Sequence, residues 1–290
     1  MVCLEEQSNL IRKLVFRLVK KHIAGSTSSS VLNVVRGLNQ KGLHTTVTLL
    51  NDHVDDAAKA KYNANSYMQF IRQLSRLHLD SDVSIRPSQI GHGIEGNMLE
   101  KNLQGIIAVA NQCRQRLWLE DENDLGANGV MHLYRKFKPI CSTLGAEIMP
   151  EPRHINGSGA ANMVSKSDII KIRYHSRKRK ERKPENIDRL SIYREYLERL
   201  MSKKASVTVS EEDPNLINSI AASSRDYRRN LIFEIPLGYS SKNMVRLQKS
   251  KLNLSVYVPY GKDWIPYFIN RLAEGRVKKI AAALLDGGTA

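Results

Sequence analysis

Short runs of apolar and β-branched residues recur along the chain, separated by stretches with helical spacing of apolar positions. Eight runs have the length and composition of buried strands. They cover residues 44–50, 82–86, 116–120, 145–149, 168–174, 205–209, 231–235 and 254–258. Strands that alternate with helices predict a parallel sheet, and eight such units in about 250 residues predict a closed (β/α)8 barrel of the TIM type. The first run lacks a glycine-rich dinucleotide fingerprint, which disfavours an open doubly wound sheet.

The chain also has segments before and after the predicted barrel. We expect an N-terminal helical segment over residues 1–40, the barrel over residues 41–282 and a flexible tail over residues 283–290. Within the first segment, residues 9–24 have the pattern of an amphipathic helix, leucine-rich on one side and rich in lysine and arginine on the other. Such a helix packs on the bottom or outside of the barrel, or it lies on an anionic membrane.

Composition limits the class of protein. With 290 residues, 41% of them hydrophobic, the chain can bury one large core or two modest ones. It contains no run of about 18 apolar residues and its start does not resemble a signal peptide, so we expect a cytoplasmic protein. The cysteines Cys3, Cys113 and Cys141 are odd in number and the eight histidines are scattered. This pattern argues against a disulfide framework and against a metal site.

The formal net charge of +16 is concentrated in one part of the chain. Residues 166–204 contain 14 Lys and Arg against 6 Asp and Glu, and the basic run 177–183 is its centre. Such a run contacts phosphates or the inner face of an anionic membrane, or it is simply a solvated surface. No aromatic residues interleave with it and no nucleic-acid-binding motif surrounds it, so nucleic acid is not an expected partner.

The last predicted strand and the helix after it carry the clearest candidate chemistry. The strand ends in a Pro-Tyr-Gly break, and the next residues have helical spacing. Tyr267, Arg271 and Glu274 fall at positions i, i+4 and i+7 and therefore share one face near the start of that helix. The carboxyl ends of the strands are where β/α barrels place their active sites, so this face predicts a site for a small molecule.

The same segment resembles the end of the proline dehydrogenase family, which carries Y-x-P-x-G and then Y-x-x-R-R-L-x-E. Further similar motifs extend the resemblance over about residues 42–275. Residues 84–91 resemble S-x-K-L-S-x-L-G with Arg86 in place of the lysine, and residues 168–174 resemble R-x-V-K-G-A-Y. Residues 233–238 resemble F-E-x-Q-x-L-x-G with one residue deleted.

The resemblance implies a function and a set of site residues. Family members oxidise L-proline to pyrroline-5-carboxylate with FAD and pass the electrons to a membrane quinone. The matches imply that Arg271 anchors the substrate carboxylate and that tyrosines wall the pocket. They also imply a flavin contact for one lysine, and a pair between Arg86 and Glu274. The tyrosines are Tyr174, Tyr257 and Tyr267, and the lysine is Lys171.

Several positions depart from the family pattern. Asn270 stands in place of the first substrate-anchoring arginine, and Asp168 in place of a flavin-binding arginine. Trp118 matches an aspartate, and Met149 matches a glutamine that hydrogen-bonds the flavin. Residues 210–213 replace A-T-H-D, so Glu212 stands at a cofactor position, whereas Asp213, directly before a proline, has the pattern of a helix cap.

Three functions therefore remain open from the sequence. The first is a divergent FAD-dependent proline dehydrogenase in which Arg86 substitutes for the guanidinium that Asn270 lacks. The second is a barrel of the same family with another small imino or amino acid, or another cofactor, as its ligand. The third is a non-catalytic barrel that binds anions. Fold alone does not decide between them.

Overall fold

The computed structural model describes residues 20–51, 54–122, 125–150, 159–174, 188–224, 226, 230–265 and 267. Eight parallel strands form a closed barrel in sequence order, and the last strand pairs with the first. The strands are β1 His44–Leu49, β2 Ser81–Ile85, β3 Leu117–Leu119, β4 Leu144–Ile148, β5 Ile169–Arg173, β6 Ser206–Ser210, β7 Leu231–Pro236 and β8 Asn253–Tyr260. The predicted (β/α)8 fold is confirmed, and each of the eight predicted runs overlaps one strand.

Helices connect the strands and cover the outside of the barrel. They are α1 Ser28–Asn39, α2 Ala57–Arg76, α3 Met98–Cys113, α4 Gly126–Phe137, α5 Arg189–Ser202, α6 Pro214–Ser223 and α7 Ser241–Lys249. The start of α6 follows from local hydrogen bonding: Asp213 accepts hydrogen bonds from the backbone N–H groups of Asn215 and Leu216, and Pro214 occupies the first turn. The cap predicted for Asp213 is therefore present.

The segment before α1 runs past the carboxyl ends of β7 and β8. The backbone N–H of Ala24 donates to the carbonyl of Pro259 at 2.8 Å, and that of Gly261 donates to the carbonyl of Gly25 at 3.0 Å. Residues 20–24 form a turn and coil, and residues 1–19 of the predicted amphipathic helix lie outside the described residues. The described end of this segment thus lies at the carboxyl end of the barrel and not at its bottom, which was one of the positions expected for the helix.

The turn after β8 needs a glycine. Gly261 has a φ of +147°, and a Cβ atom there would lie 2.2 Å from the carbonyl oxygen of Leu50. The predicted Pro-Tyr-Gly break is therefore the point at which β8 ends and the chain packs closely against the residue that follows β1.

The hydrophobic core is a layer between the strands and the helices. Strand side chains alternate, so every second one faces the helices. In β5 these are Ile170 and Ile172, both fully buried. The equivalent outward side chains of neighbouring strands, Ala146 and Ile148 of β4 and Val207 and Val209 of β6, belong to the same cluster. The other face of each strand points into the barrel and is largely polar, with Trp118 of β3 as an exception.

Residues 283–290 of the expected tail lie outside the described ranges. Within those ranges, no helix combines the length and the apolar character needed to cross a lipid bilayer.

Candidate active site at the barrel mouth

The interior of the barrel is lined by charged side chains. The register pairs Glu147 of β4 with Lys171 of β5, and Lys171 with Thr208 of β6, so these side chains face the same side of the sheet. Glu234 of β7 and Glu120 after β3 also reach this space, since they bind interior partners. Interiors of such barrels are usually filled by branched aliphatic residues, and this one is filled largely by ion pairs.

Arg86, Glu120 and Tyr257 form the upper part of this interior. The Arg86 Nε–H donates to Oε2 of Glu120 at 2.8 Å, and the Tyr257 hydroxyl donates to Oε1 at 2.8 Å. Burial disfavours the charge on Glu120, but Arg86 and Arg173 outweigh it and hold the pKa of this carboxyl well below its usual range. Glu120 is thus ionised and fixes the orientation of both Arg86 and Tyr257.

A second ion pair lies deeper in the barrel. The Lys171 ammonium donates to Oε1 of Glu234 at 2.6 Å, and both side chains are 0% exposed. The same ammonium lies 4.7 Å from the centre of the Trp118 ring, a cation–π contact. Lys171 therefore has a carboxylate on one side and an aromatic face on another, inside the protein.

Arg173 lies two residues after Lys171, on the same face of β5, and makes a third ion pair. Its Nη2 donates to Oε2 of Glu147 at 2.5 Å, and its guanidinium lies 5.1 Å from the centre of the Tyr257 ring. Burial is the largest influence on Glu147 and raises its pKa to about 8, against the pull of Arg173. A buried carboxyl with such a pKa takes up or releases a proton near neutral pH.

The carboxyl ends of β5 and β6 carry a separate cluster. Arg189, the first residue of α5, forms an ion pair with Glu211, and the Tyr193 hydroxyl also donates to Glu211 at 3.2 Å. The guanidinium of Arg189 lies 5.7 Å from the centre of the Tyr174 ring. Glu211 is thus neutralised by a local cation and does not present a bare charge to a ligand.

The three positions expected to contact FAD do not fit that role through their side chains. Lys171 is enclosed by Glu234 and Trp118. Met149 is buried and has no side-chain N–H or O–H, and Glu212 carries a carboxylate, which repels a pyrophosphate. Because the Lys171 side chain is fully buried and the other two side chains carry no hydrogen-bond donor, we assign the three no part in holding FAD.

Of the site residues predicted in the helix after β8, the structure describes Tyr267. Asn270, Arg271 and Glu274 lie outside the described residues. Tyr267 is half-buried and lies near enough to Tyr257 to raise the pKa of that hydroxyl, after burial and Glu120. The structure therefore brings Arg86, Tyr257 and Tyr267 into one region, while Tyr174 belongs to the neighbouring Arg189 cluster.

Two positions behave differently from what the motif match implied. Trp118 is not at the mouth: its Nε1–H donates to Oδ2 of Asp82 at 2.8 Å deep in the barrel, and strand β3 supplies its mouth carboxylate through Glu120, two residues later. Asp168 precedes β5 and so lies at the opposite end of the barrel, where it accepts hydrogen bonds from Tyr134 and Arg135. Since Asp168 is remote from the mouth, its mismatch with an arginine says nothing about the site.

The structure gives Arg86 a partner that was not predicted. Within the described residues it pairs with Glu120, and the expected pair with Glu274 stays a prediction.

Sequence reasoning did not assign roles to Glu147, Arg173 and Glu234. The signal was present, because each of these charges interrupts an apolar strand at a single position, as in Ile-Lys-Ile-Arg of β5 and Phe-Glu-Ile of β7. An isolated charge within a buried strand is costly unless it is paired, so opposite charges on different strands predict interior ion pairs.

No metal-binding cluster is found in the part of the chain that the structure describes, where no three His, Cys, Asp or Glu side chains are arranged to hold a metal ion.

The fold and the site define the class of protein: a parallel β/α barrel with charged and tyrosine side chains gathered at the carboxyl ends of its strands. The chain is 24% identical over 270 residues to proline dehydrogenase 2 of Bacillus subtilis (strain 168), an alignment that covers 91% of this chain and 88% of that protein. It is 21% identical over 279 residues to proline dehydrogenase of Deinococcus radiodurans, again over 91% and 88%. The chain is therefore a divergent relative of the proline dehydrogenases, and the predicted resemblance is confirmed. No protein-family model matches it.

Solved structures agree on the fold. The structure of proline utilization A from Bdellovibrio bacteriovorus, inactivated by N-propargylglycine, has a TM-score of 0.76 at 13% identity. Proline utilization A from Corynebacterium freiburgense has a TM-score of 0.71 at 15% identity. They match 92% and 91% of this chain, which spans 33% and 32% of their lengths. At these identities the likeness is one of fold.

Proposed function

We propose that the chain is a proline dehydrogenase-like oxidoreductase that oxidises L-proline to pyrroline-5-carboxylate. The names of its relatives support the activity. The observation that carries the proposal is the trio at the mouth: Glu120 holds the guanidinium of Arg86 and the hydroxyl of Tyr257 in fixed positions. An oriented arginine beside an aromatic ring suits a substrate that has a carboxylate and an apolar ring.

Different side chains would contact the carboxylate and the ring of the substrate. Arg86 keeps its Nε on Glu120, and its side chain is 23% exposed, so a ligand can still reach it. Its remaining N–H groups would bind the substrate carboxylate. Tyr257 and Tyr267 would wall the ring, with Tyr174 on the side of β5. Arg271 and Glu274, and with them Asn270, complete the proposed substrate pocket.

FAD as the hydride acceptor, and a quinone as the onward electron acceptor, belong to this proposal. A bound flavin would supply the two-electron oxidation, while the residues of this chain would orient the substrate and exclude water. Because Lys171, Met149 and Glu212 do not fit as flavin contacts, no catalytic step is assigned to them. A quinone acceptor would also require contact with the inner face of a membrane.

One observation favours a second function. Lys171, the lysine implied to contact a flavin, is fully enclosed in its pair with Glu234. A barrel that has lost such a contact could bind a small imino or amino acid with another cofactor, or bind anions without catalysis, and still retain Arg86 and Tyr257.

A flavin spectrum distinguishes these functions. The purified full chain should bind FAD, show flavin absorbance and lose it on anaerobic addition of L-proline, with D-proline as the control. A protein that cannot be reconstituted with FAD, or a flavin that L-proline does not bleach, would rule out the first function in favour of the second. Arg86→Met should raise the KM for L-proline about 30-fold or more, since a buried charge-assisted contact is lost.

A further inference from the structure

Arg173 is placed at the mouth with part of its hydrogen-bonding capacity unused. It is the last residue of β5, and its side chain is 14% exposed. Nη2 donates to Glu147, whereas the buried Nε has no partner within the part of the chain that the structure describes. A buried N–H without a partner costs free energy, and such costs are tolerated mainly where a ligand or water completes the set.

Arg173 is also close to Arg86 through a shared tyrosine. The Tyr257 hydroxyl binds the carboxylate that Arg86 also binds, and the face of the Tyr257 ring lies 5.1 Å from the Arg173 guanidinium. Both arginines act on the same carboxylate, since each lowers the pKa of Glu120 against the effect of burial. Arg86, directly after β2, and Arg173, at the end of β5, are therefore linked at the mouth through Glu120 and Tyr257.

The partner of Arg173 is suited to releasing it. Glu147 is 1% exposed, and its Oε1 has no partner among the described residues. Burial raises its pKa to about 8, so Glu147 can hold a proton near neutral pH. If an anion then draws Arg173 away, the neutral Glu147 leaves no unpaired negative charge in the interior.

We propose that Arg173 is a second anion-binding arginine of this site, and that Arg86 and Arg173 together hold the carboxylate of a small amino or imino acid. Two planar guanidinium groups supply the bidentate contacts that a carboxylate prefers. This clamp takes over the part that the resemblance implies for an arginine at the position of Asn270. The nature of the substrate rests on the proposed function, but the clamp itself requires only a carboxylate.

Two simple probes separate carboxylate binding from ring binding. Cyclopentanecarboxylate has the ring and the carboxylate but no amine, and pyrrolidine has the ring amine but no carboxylate. Their Kd values, measured by titration calorimetry on the full chain, should respond differently to changes at Arg173. Arg173→Met should weaken cyclopentanecarboxylate about 30-fold or more and leave pyrrolidine within about twofold. Arg173→Lys keeps the charge but loses the fork, and should fall between the wild type and Arg173→Met.

A matched control is available at the other end of the barrel. Arg135 is also a partly buried arginine paired with a buried carboxylate, Asp168, but it lies far from the mouth. Arg135→Met should lower stability without changing the Kd for cyclopentanecarboxylate. A role for Arg173 in stability alone would give the same pattern in both variants, and that outcome would overturn the proposal.

The remaining outcomes are also decisive. An unchanged Kd for cyclopentanecarboxylate in folded Arg173→Met would overturn the clamp, as would a wild-type chain that binds no carboxylate. If Arg173→Met does not fold, the Kd of Arg173→Lys for cyclopentanecarboxylate decides, and wild-type affinity there counts against the proposal.

A chain that binds the carboxylate through Arg173 but does not oxidise L-proline would confirm the clamp and reject the proposed function. Oxidation of L-proline with an unchanged KM in Arg173→Lys would confirm the proposed function and reject the clamp.

Discussion

The two ends of the barrel both contain a partly buried arginine paired with a buried carboxylate, but they differ in completeness. At the amino end, Arg135 donates to both oxygens of Asp168 and to the carbonyl of Met163, while Tyr134 and the backbone of Ser165 also donate to Asp168. At the carboxyl end, the pair of Arg173 and Glu147 leaves one N–H and one carboxylate oxygen without a described partner.

This difference teaches how to distinguish a structural ion pair from a functional one. A pair whose donors and acceptors are all matched by protein groups has nothing left to offer a ligand. A pair with unmatched groups at the strand ends, where barrels bind their ligands, is poised to accept one. Burial and distance alone would not separate the two.

The largest effect is expected where both members of an ion pair are fully buried. Lys171→Met removes the cation from the fully buried pair with Glu234 and leaves a carboxylate without its partner. The free energy of unfolding should fall by about 3–5 kcal/mol, measured by urea denaturation. Adding Glu234→Gln to this variant should recover part of the loss, because no charge is then buried alone. Equal losses in the single and double variants would show that the pair does not depend on charge.

A smaller effect is expected from packing between the two ends. A Cβ atom at Gly145 would lie 2.6 Å from two ring atoms of Trp118 and 3.1 Å from Ile169. Gly145→Ala should therefore cost about 1–3 kcal/mol, seen as a lower Tm. Gly105→Ala is the control, since its Cβ would meet nothing closer than 3.7 Å. The packing argument fails if the two variants have the same Tm.

The smallest effect concerns pH at the amino end. Burial lowers the affinity of His44 for a proton, but Asp82 and Asp80 outweigh it and raise its pKa from 6.5 to about 9. The protonated histidine thus stabilises the fold fully below pH 6.5, and this contribution is lost as the pH rises through 9. His44→Gln should be about 1 kcal/mol less stable than the wild type at pH 6, because Asp80 is largely exposed, and the difference should shrink towards pH 10. A difference that is constant from pH 6 to pH 10 would contradict this pairing.

The fold was predictable because its signals are local. Each strand is a short apolar run bounded by polar residues, and alternation with helices leaves few topologies. The ends of the strands were less predictable: β8 extends to Tyr260, past Pro259, since its partner β1 continues the pairing there. Residues 20–24, the described end of the expected amphipathic segment, lie by the carboxyl ends of the strands, a location that amphipathicity does not reveal because it indicates only that a segment packs.

Motif positions place Arg86 and Tyr257 at the carboxyl ends of their strands, and the structure joins them through Glu120, while their roles stay predictions. Arg173 and Glu147 come from different strands, and their pairing depends on the register between β4 and β5, which the sequence does not reveal. The motif match also misled at Trp118 and Asp168, because alignment of a strand does not show which residues face inward or which end they occupy.

The contact between Trp118 and Gly145 has a consequence for how this sequence could have diverged. With an indole at position 118, any side chain at position 145 larger than hydrogen collides with the ring. A lineage that carried a larger residue at 145 would lose stability on gaining the tryptophan unless that residue had first been replaced by glycine. Sterics thus favour one order of these two substitutions, so relatives should show the glycine without the tryptophan more often than the tryptophan without the glycine.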